Sequence, residues 1–142
     1  MKVRLVLDTS VVVAALRSRL GASNRVLRKV APRDAVLLLS PALLLEYEEV
    51  LKRPEHRLVH GLTEESVDAF ISELAALAEP VEMHFSWRPQ SADPGDEMVL
   101  ETAINGAADV LITLNVRDFN AAERFRIRVV RPGEFLRSRF NE

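Results

Sequence analysis

Val3-Arg4-Leu5-Val6-Leu7-Asp8-Thr9-Ser10 joins an apolar run to a carboxylate and two hydroxyl side chains. The β-branched and apolar content of residues 3–7 predicts a buried strand, and Thr9 with Ser10 opens the helix that follows. Ligands of open α/β sheets bind at the carboxyl ends of the strands, so Asp8 is expected to face a crevice. The alternative is that Asp8 caps the helix, although the two neighbouring hydroxyls can serve as caps themselves.

Further apolar runs predict the other strands of a sheet. Residues 35–39 and 109–113 indicate buried strands, residues 127–130 a last strand, and residues 80–84 a short one. Helical patterns lie between these runs, so strands and helices alternate along the chain. Such alternation is typical of an α/β fold in which helices cover both faces of a parallel sheet.

Capping residues predict where several helices begin. Ser40 followed by Pro41 is a strong helix start, and Thr63 followed by two glutamates is another. Asp93 indicates a third start, within a loop of turn-forming residues predicted over 87–95. The sequence therefore predicts at least three capped helices between the strands.

Three other helical features are predicted from weaker signals. Ser23 caps a short helix that reaches Val30, and Pro132 opens a terminal helix. The helix that follows Asp93 carries four apolar residues on one face, namely Leu100, Ala103, Ile104 and Ala107.

The composition limits the kinds of protein and of site to consider. The chain of 142 residues has the size of one domain, so residues 1–142 are predicted to form a single domain. It contains no cysteine, which excludes disulfides and thiolate sites and leaves oxygen and imidazole as metal donors. The formal charge of -2 neither supports nor excludes a nucleic-acid substrate.

The apolar segments also bear on location. No apolar run approaches the roughly 20 residues needed to span a bilayer, and the first residues lack a signal-peptide core. A cytoplasmic protein with no membrane contact is therefore expected.

Glu46 is a second acidic residue that the predicted elements single out. It lies three residues after Leu43 and four before Val50, on the face of its helix that should pack inward. A buried carboxylate must be paired, protonated or bound to metal to offset its desolvation. A place at the edge of the apolar stripe, from which the side chain reaches water, is the alternative.

Two more acids, Asp96 and Asp118, lie near predicted loops. Helix capping explains Asp93 well and Asp96 less fully, while Asp118 alone would be read as a turn or cap residue. Together with Asp8 and Glu46, these acids predict shared coordination of a divalent cation. Ligands that are all oxygen favour Mg²⁺ or Mn²⁺.

Four segments in order resemble the successive motifs of the PIN-domain family. They are residues 5–10, 46–51, 93–97 and 112–119, and their order and spacing match throughout. Residues 129–136 are similar to the closing strand and helix of PIN-domain toxins of bacterial toxin-antitoxin systems. The resemblance covers nearly the whole chain and implies a three-layer α/β/α fold, with a central parallel sheet in the order 3-2-1-4-5.

The resemblance also implies roles for the acids. Asp8, Glu46 and Asp96 match the first three acids of the family. Asp118 matches the fourth, although many relatives carry an aspartate where this chain has Asn115. The four acids are implied to be catalytic, and metal binding is implied for Asp8, Asp96 and Asp118.

Supporting positions follow from the same resemblance. Ser10 and Thr113 match small polar positions that orient the acids through hydrogen bonds, and Asn115 is a third supporting residue. Gly95 departs from relatives that carry another acid there, which would lower the negative charge and weaken metal affinity. Arginines near the predicted site loops are candidates for holding RNA, with a solvated surface residue as the alternative for each; they are Arg17 and Arg117 first, then Arg19, Arg25 and Arg88.

The activity that the resemblance implies is that of a Mg²⁺- or Mn²⁺-dependent endoribonuclease, the toxin of a toxin-antitoxin pair. RNA is the implied substrate, a cognate antitoxin a candidate partner, and a homodimer the expected assembly. One alternative is a PIN-fold module that binds RNA or protein without catalysis. Another is an Asp-dependent phosphohydrolase or phospho-acceptor domain, which fits poorly because Ser10 stands where a second aspartate belongs and no lysine follows Lys52.

Overall fold

A computed structural model describes residues 2–84, 86 and 93–142 of the chain. These residues contain a five-stranded sheet in the order β3-β2-β1-β4-β5, and every strand pair in it is parallel. The strands are Arg4–Leu7 (β1), Val36–Leu39 (β2), Glu79–Pro80 (β3), Val110–Ile112 (β4) and Arg128–Val130 (β5). The α/β class and the strand order 3-2-1-4-5 are therefore confirmed.

Helices connect the strands throughout the described part of the chain. The α-helices are Thr9–Arg17 (α1), Ala22–Val30 (α2), Pro41–Leu51 (α3), Pro54–His60 (α4), Glu64–Leu77 (α5), Pro94–Asn105 (α6) and Pro132–Phe140 (α7). A 3₁₀ segment, Val116–Phe125, lies between β4 and β5. Helix α4 was not predicted, because none of its residues is buried and no apolar period marks it.

The central strand β1 shows why the sheet lies between two layers. Leu5, Val6 and Leu7 are all fully buried, and successive side chains of a strand point to opposite faces. Both faces of the sheet are therefore covered, as in other all-parallel sheets. In the register of β1 with β4, Leu7 pairs with Ile112. This pairing brings the residues that follow the two strands, 8 and 113, to the same edge of the sheet.

The predicted helix starts were mostly right. The Ser40 side chain accepts the N–H of Leu43 at the start of α3, and the Thr63 side chain accepts the N–H of Ser66 at the start of α5. Asp93 caps α6 in the same way. The prediction for Ser23 was wrong: helix α2 begins at Ala22, and the residue before it supplies no side-chain cap.

Two further boundaries differ from the sequence prediction. Strand β3 comprises Glu79 and Pro80, both exposed, and not residues 80–84, because an edge strand of two residues leaves no burial pattern in the sequence. Helix α6 ends at Asn105, and Ala107 is exposed in a left-handed turn with φ 52°. The part of the predicted loop over 87–92 lies outside the described residues.

None of the helices in the described part of the chain combines the length and the apolar character that a membrane span requires.

Candidate functional site

Asp8 lies directly after β1 and precedes the first residue of α1. Its side chain makes no capping bond to that helix. Its Oδ2 atom instead accepts hydrogen bonds from the hydroxyls of Ser10 at 2.7 Å and Thr113 at 2.8 Å. The reading of Asp8 as a helix cap is therefore wrong, and both bonds leave the Oδ1 atom without a contact from either hydroxyl.

The two hydroxyls are themselves oriented by the backbone after β4. The N–H of Leu114 donates to Ser10 Oγ at 3.3 Å, and the N–H of Asn115 donates to Thr113 Oγ1 at 2.9 Å. A hydroxyl that accepts an N–H from one side can give its own proton to a carboxylate on the other. Bonds to an ionised acceptor are shorter and stronger than neutral ones. This network fixes the carboxylate of Asp8, and the supporting roles of Ser10, Thr113 and Asn115 in a reaction stay predictions.

Tyr47 supports the same strand end from helix α3. It is the one tyrosine of the chain, it is fully buried, and its hydroxyl donates to the carbonyl of Leu7 at 2.5 Å. Burial, and after it the charge of Asp8, raises the pKa of Tyr47 well above its ordinary value, so the phenol stays neutral. The sequence analysis missed this residue, although its place four residues after Leu43 put it on the inward face of α3.

Glu46 is the neighbour of Tyr47 on α3 and is half-buried. Burial is the main cause that raises its pKa, and the negative charges of Glu49, Asp93 and Asp8 add to it, while Arg53 acts in the opposite sense. The Oε1 atom lies 3.9 Å from the point that a β-carbon on residue 95 would occupy. Glu46 therefore reaches from α3 to the first turn of α6.

Asp96 lies in that first turn of α6 and is also half-buried. Burial raises the pKa of Asp96 to about 6, and the charges of Asp8, Asp93 and Asp118 contribute after it. Asp93 holds the helix start with its Oδ1 atom, which accepts the N–H of Gly95 at 2.7 Å and of Asp96 at 3.3 Å. The electrostatic coupling indicates that these carboxylates share one edge of the sheet.

Asp118 and Asn115 occupy a more exposed position, at the start of the 3₁₀ segment. The N–H of Asp118 donates to the carbonyl of Asn115 at 3.0 Å, and the Asn115 side chain makes no capping bond. Among the charges that act on Asp96, that of Asp118 contributes least. Asp118 thus lies at the rim of the acidic cluster formed by Asp8, Glu46, Asp96 and Asp118.

The acidic cluster was tested as a place for a divalent cation. No group of three or more acidic or histidine side chains among the described residues is arranged to hold a metal ion as it stands. The donors are nevertheless all carboxylate oxygens, and every charge that shifts Asp96 is negative. A set of mutually repelling carboxylates is the chemistry that suits Mg²⁺ or Mn²⁺. The donor set therefore fits such an ion, and the ligand roles of Asp8, Asp96 and Asp118 stay predictions.

Helix α6 also carries two buried glutamates that the sequence analysis did not single out. Glu97 and Glu101 are 4% and 5% exposed. Their spacing of four residues places them on one face of the helix, beside the apolar face that includes Leu100. That spacing was the available signal. Glutamate is rarely buried, so the residue type itself points to the surface.

The candidate RNA-binding arginines differ in their surroundings. Arg17 is exposed at the end of α1, and its Nη2 atom lies 2.9 Å from Nδ1 of His56 on α4. Arg117 is exposed beside Asp118. Arg88 lies outside the described residues. Arg17 also lines a pocket whose lining includes Ser10.

The parallel sheet and the carboxylates after β1 define an α/β protein with an acidic site at the carboxyl edge of its strands. A family model described as a PIN domain matches residues 4–117, and the chain belongs to the PIN domain family. PIN domains are generally nucleases, and typically metal-dependent ones. The matched range includes Asp8, Glu46 and Asp96 but ends one residue before Asp118. No curated protein matches the chain.

Proposed function

We propose that this PIN domain is an endoribonuclease that depends on Mg²⁺ or Mn²⁺ and cleaves RNA phosphodiester bonds. The observation that carries the proposal is the carboxylate of Asp8. This carboxylate is 6% exposed, and two hydroxyls donate to its Oδ2 atom. Its negative charge contributes to the raised pKa values of Glu46 and Asp96. A buried acid that makes no capping bond to its helix and lies near other acids is suited to binding a cation.

The proposed division of labour follows from the position of each acid. Asp8, Asp96 and Asp118 would hold the cation, with Asp8 as the ligand that the protein fixes most firmly. When bound, a divalent ion would activate water and neutralise phosphate charge during in-line attack. Glu46 has a raised pKa and reaches the same edge from α3, so its carboxyl is suited to exchanging a proton at the site.

The test combines cleavage with thermal stability. Purified protein should cleave single-stranded RNA with Mg²⁺ or Mn²⁺ and lose that activity in EDTA. A metal ion that binds only the folded protein, and is present at a concentration of a hundred times its Kd, should raise the free energy of unfolding by about 2.7 kcal/mol. Asp8→Asn should abolish the cleavage, whereas Asp34→Asn, a change of an exposed acid at the opposite edge of β2, should not. If neither metal supports cleavage or raises the Tm, and Asp8→Asn changes nothing, the nuclease proposal is wrong.

We further propose that Arg17 and Arg117 bind the phosphates of the RNA and so offset their repulsion by the carboxylates of the acidic cluster. Each contact to a phosphate of single-stranded RNA contributes about 0.7 to the slope of log K against log salt. Replacing both arginines by alanine should therefore flatten the salt dependence of RNA binding. An unchanged slope would remove them from the proposal.

The biological setting is also a proposal, namely the cytoplasmic toxin of a toxin-antitoxin pair, acting as a homodimer. It is supported by the likeness of residues 129–136 to the closing segment of such toxins, which here form β5 and the start of α7. Expression of the chain in bacteria should arrest growth, and expression of the Asp8→Asn variant should not. Light scattering would reveal a monomer if the proposed dimer is wrong. That residues 1–142 form one domain likewise stays a prediction.

A second candidate is a PIN-fold module that binds RNA or protein without cutting it. Two observations favour it: Asn115 stands where many relatives carry an aspartate, and the described acids do not form a ready three-ligand group. Such a module would bind RNA with the same affinity in EDTA and Mg²⁺ and leave it uncut. The phosphohydrolase alternative is set aside, because the chain belongs to a family of another chemistry.

A further inference from the structure

A pocket of about 340 Å³ adjoins the Asp8 side of the acidic cluster, between α1, α3 and α4. The apolar part of its lining, here called the floor, comprises Val13, Ala14, Val50 and Leu114, and the polar part, here called the rim, includes Arg17 and His56. Pockets that take small organic groups have similar volumes and a similar apolar lining with a few polar atoms. This space is therefore large enough for one flat ring system.

The pocket and the hydrogen-bond network around Asp8 share two residues, Ser10 and Leu114. Ser10 lines the pocket, and its hydroxyl donates to Asp8 Oδ2 at 2.7 Å. Leu114, on the floor, donates its N–H to the same hydroxyl at 3.3 Å. A group bound in the pocket would therefore contact Ser10, which bonds directly to the proposed cation ligand Asp8.

The rim of the pocket carries planar polar groups. The guanidinium of Arg17 lies 2.9 Å from Nδ1 of His56. Since a guanidinium can only donate, Nδ1 is the acceptor in this contact. Unpaired bases in RNA complexes stack on imidazole rings and guanidinium planes, and a neighbouring cation suits the phosphate that each base brings with it.

We propose that this pocket, here called the base pocket, holds one unpaired base of the RNA, adjacent to the phosphodiester at Asp8, while Arg17 contacts the neighbouring phosphate. The inference rests on the proposed nuclease function and adds to it a site for the substrate base. An apolar side chain of a partner protein would fill the floor equally well. Such a side chain would offer no negative charge to the guanidinium of Arg17, whereas a nucleotide supplies both a flat apolar face and a negatively charged phosphate.

The experiment fills the pocket and measures RNA binding. Ala14 is half-buried on α1 and lines the pocket, so Ala14→Leu adds bulk there while keeping a good helix former. Ala75→Leu is the matched control, an exposed alanine on α5 away from the pocket. All proteins carry Asp8→Asn, which stops the proposed cleavage and keeps an oxygen that can accept both hydroxyls. The probes are a short single-stranded RNA and a series with one abasic nucleotide at each position in turn.

One abasic position should weaken binding to the pocket-intact protein roughly 10-fold, the size expected for one stacked base. Ala14→Leu should weaken binding of the intact RNA by the same factor and make that abasic position neutral, and Ala75→Leu should do neither. If the Ala14→Leu protein and the pocket-intact protein bind the intact RNA with equal affinity, the inference is overturned, and the pocket binds either a partner's side chain or no ligand.

A cleavage assay with Asp8 intact runs alongside and separates the two proposals. Metal-dependent cleavage without any effect of the abasic positions or of Ala14→Leu would overturn the base pocket alone. Absence of both RNA cleavage and RNA binding would overturn the nuclease proposal, and the base pocket with it.

Discussion

The two sides of the acidic cluster are built by opposite means. On the β1 side, Asp8 follows three fully buried residues, and its carboxylate receives hydrogen bonds from two neutral hydroxyls. On the α6 side, Asp96 is half-buried, and the charges around it are the carboxylates that help raise its pKa to about 6. Hydrogen bonds orient the carboxylate on the first side, whereas burial and, after it, neighbouring negative charge disfavour ionisation on the second.

This difference assigns separate tasks to the two sides. The backbone around Asp8 is anchored by the Leu7 carbonyl bond to Tyr47 and by the Asp8 N–H bond to the Ile112 carbonyl at 2.9 Å. A cation would find its first ligand already in place there. On the α6 side, the same cation would relieve unfavourable charge, so most of the stabilisation on metal binding should arise from Asp96 and its neighbours.

The largest expected effect concerns the β1 side. Thr113→Val removes one hydroxyl from Asp8 Oδ2 and should lower RNA cleavage by about 10- to 100-fold, as the loss of an orienting partner of a metal ligand does. Thr102→Val is the matched control, because Thr102 is also fully buried and its hydroxyl lies 2.8 Å from that of Ser40 and not at Asp8. Steady-state cleavage rates and melting curves are compared for both variants. Equal loss of activity in the two would mean that Thr113 acts only through the stability of the fold.

A smaller effect is expected from Tyr47, which bonds the end of β1 on the same side of the acidic cluster. Tyr47→Phe leaves the buried Leu7 carbonyl without its partner and should lower the free energy of unfolding by about 1–3 kcal/mol. Denaturant titration measures this loss. If the free energy of unfolding does not change, the bond from α3 to β1 does not stabilise the fold.

The smallest effect is expected on the α6 side and depends on pH. In the folded protein the pKa of Asp96 is raised from 3.8 to about 6, so the folded state holds this proton more tightly than the unfolded state. The contribution of Asp96 to stability is therefore most favourable below pH 3.8 and declines as the pH rises through about 6. Without metal, Asp96→Asn should remove this decline and stabilise the protein at neutral pH by roughly 1 kcal/mol, after allowance for solvent screening.

Melting curves of wild type and Asp96→Asn over that pH range, each in EDTA and in Mg²⁺, test this prediction. Mg²⁺ should reverse the order of the two proteins, because the variant lacks a ligand. A wild-type curve that rises with pH through this range in EDTA, while the Asp96→Asn curve stays flat, would contradict the assigned direction of the pKa shift.

The sequence predicted four of the five strands well, and the first three of them along the chain are largely buried. The fourth, predicted over 127–130, is β5, whose first residue is exposed. The apolar runs 3–7, 35–39 and 109–113 coincide with β1, β2 and β4 to within one residue at each end. Strand β3 was misplaced because its residues are exposed and its position is set by pairing with β2. Helix α4 left no apolar period, because none of its residues is buried. The 3₁₀ segment has an apolar residue at every third position, namely Val116, Phe119, Ala122 and Phe125, and this signal was available in the sequence.

For the site, the sequence identified the acids but not the way in which they are held. The position of Asp8 after a buried strand was enough to place it at the sheet edge. The bond from Tyr47 to Leu7 joins residues 40 positions apart, and the bond from Thr113 to Asp8 joins residues 105 apart. Contacts of this range depend on how α3 and β4 dock on β1, which no local pattern contains.

The separation of 105 residues between Asp8 and Thr113 has a consequence for synthesis of the chain on the ribosome. Asp8, Glu46 and Asp96 are all translated before Thr113, and β4, which carries Thr113 to Asp8, pairs with β1 only after it has emerged. A nascent chain therefore contains most of the carboxylates but lacks the hydroxyl and the strand that orient the first of them. If the protein is the ribonuclease proposed here, its site is completed only after residues 110–113 have left the ribosome and paired with β1.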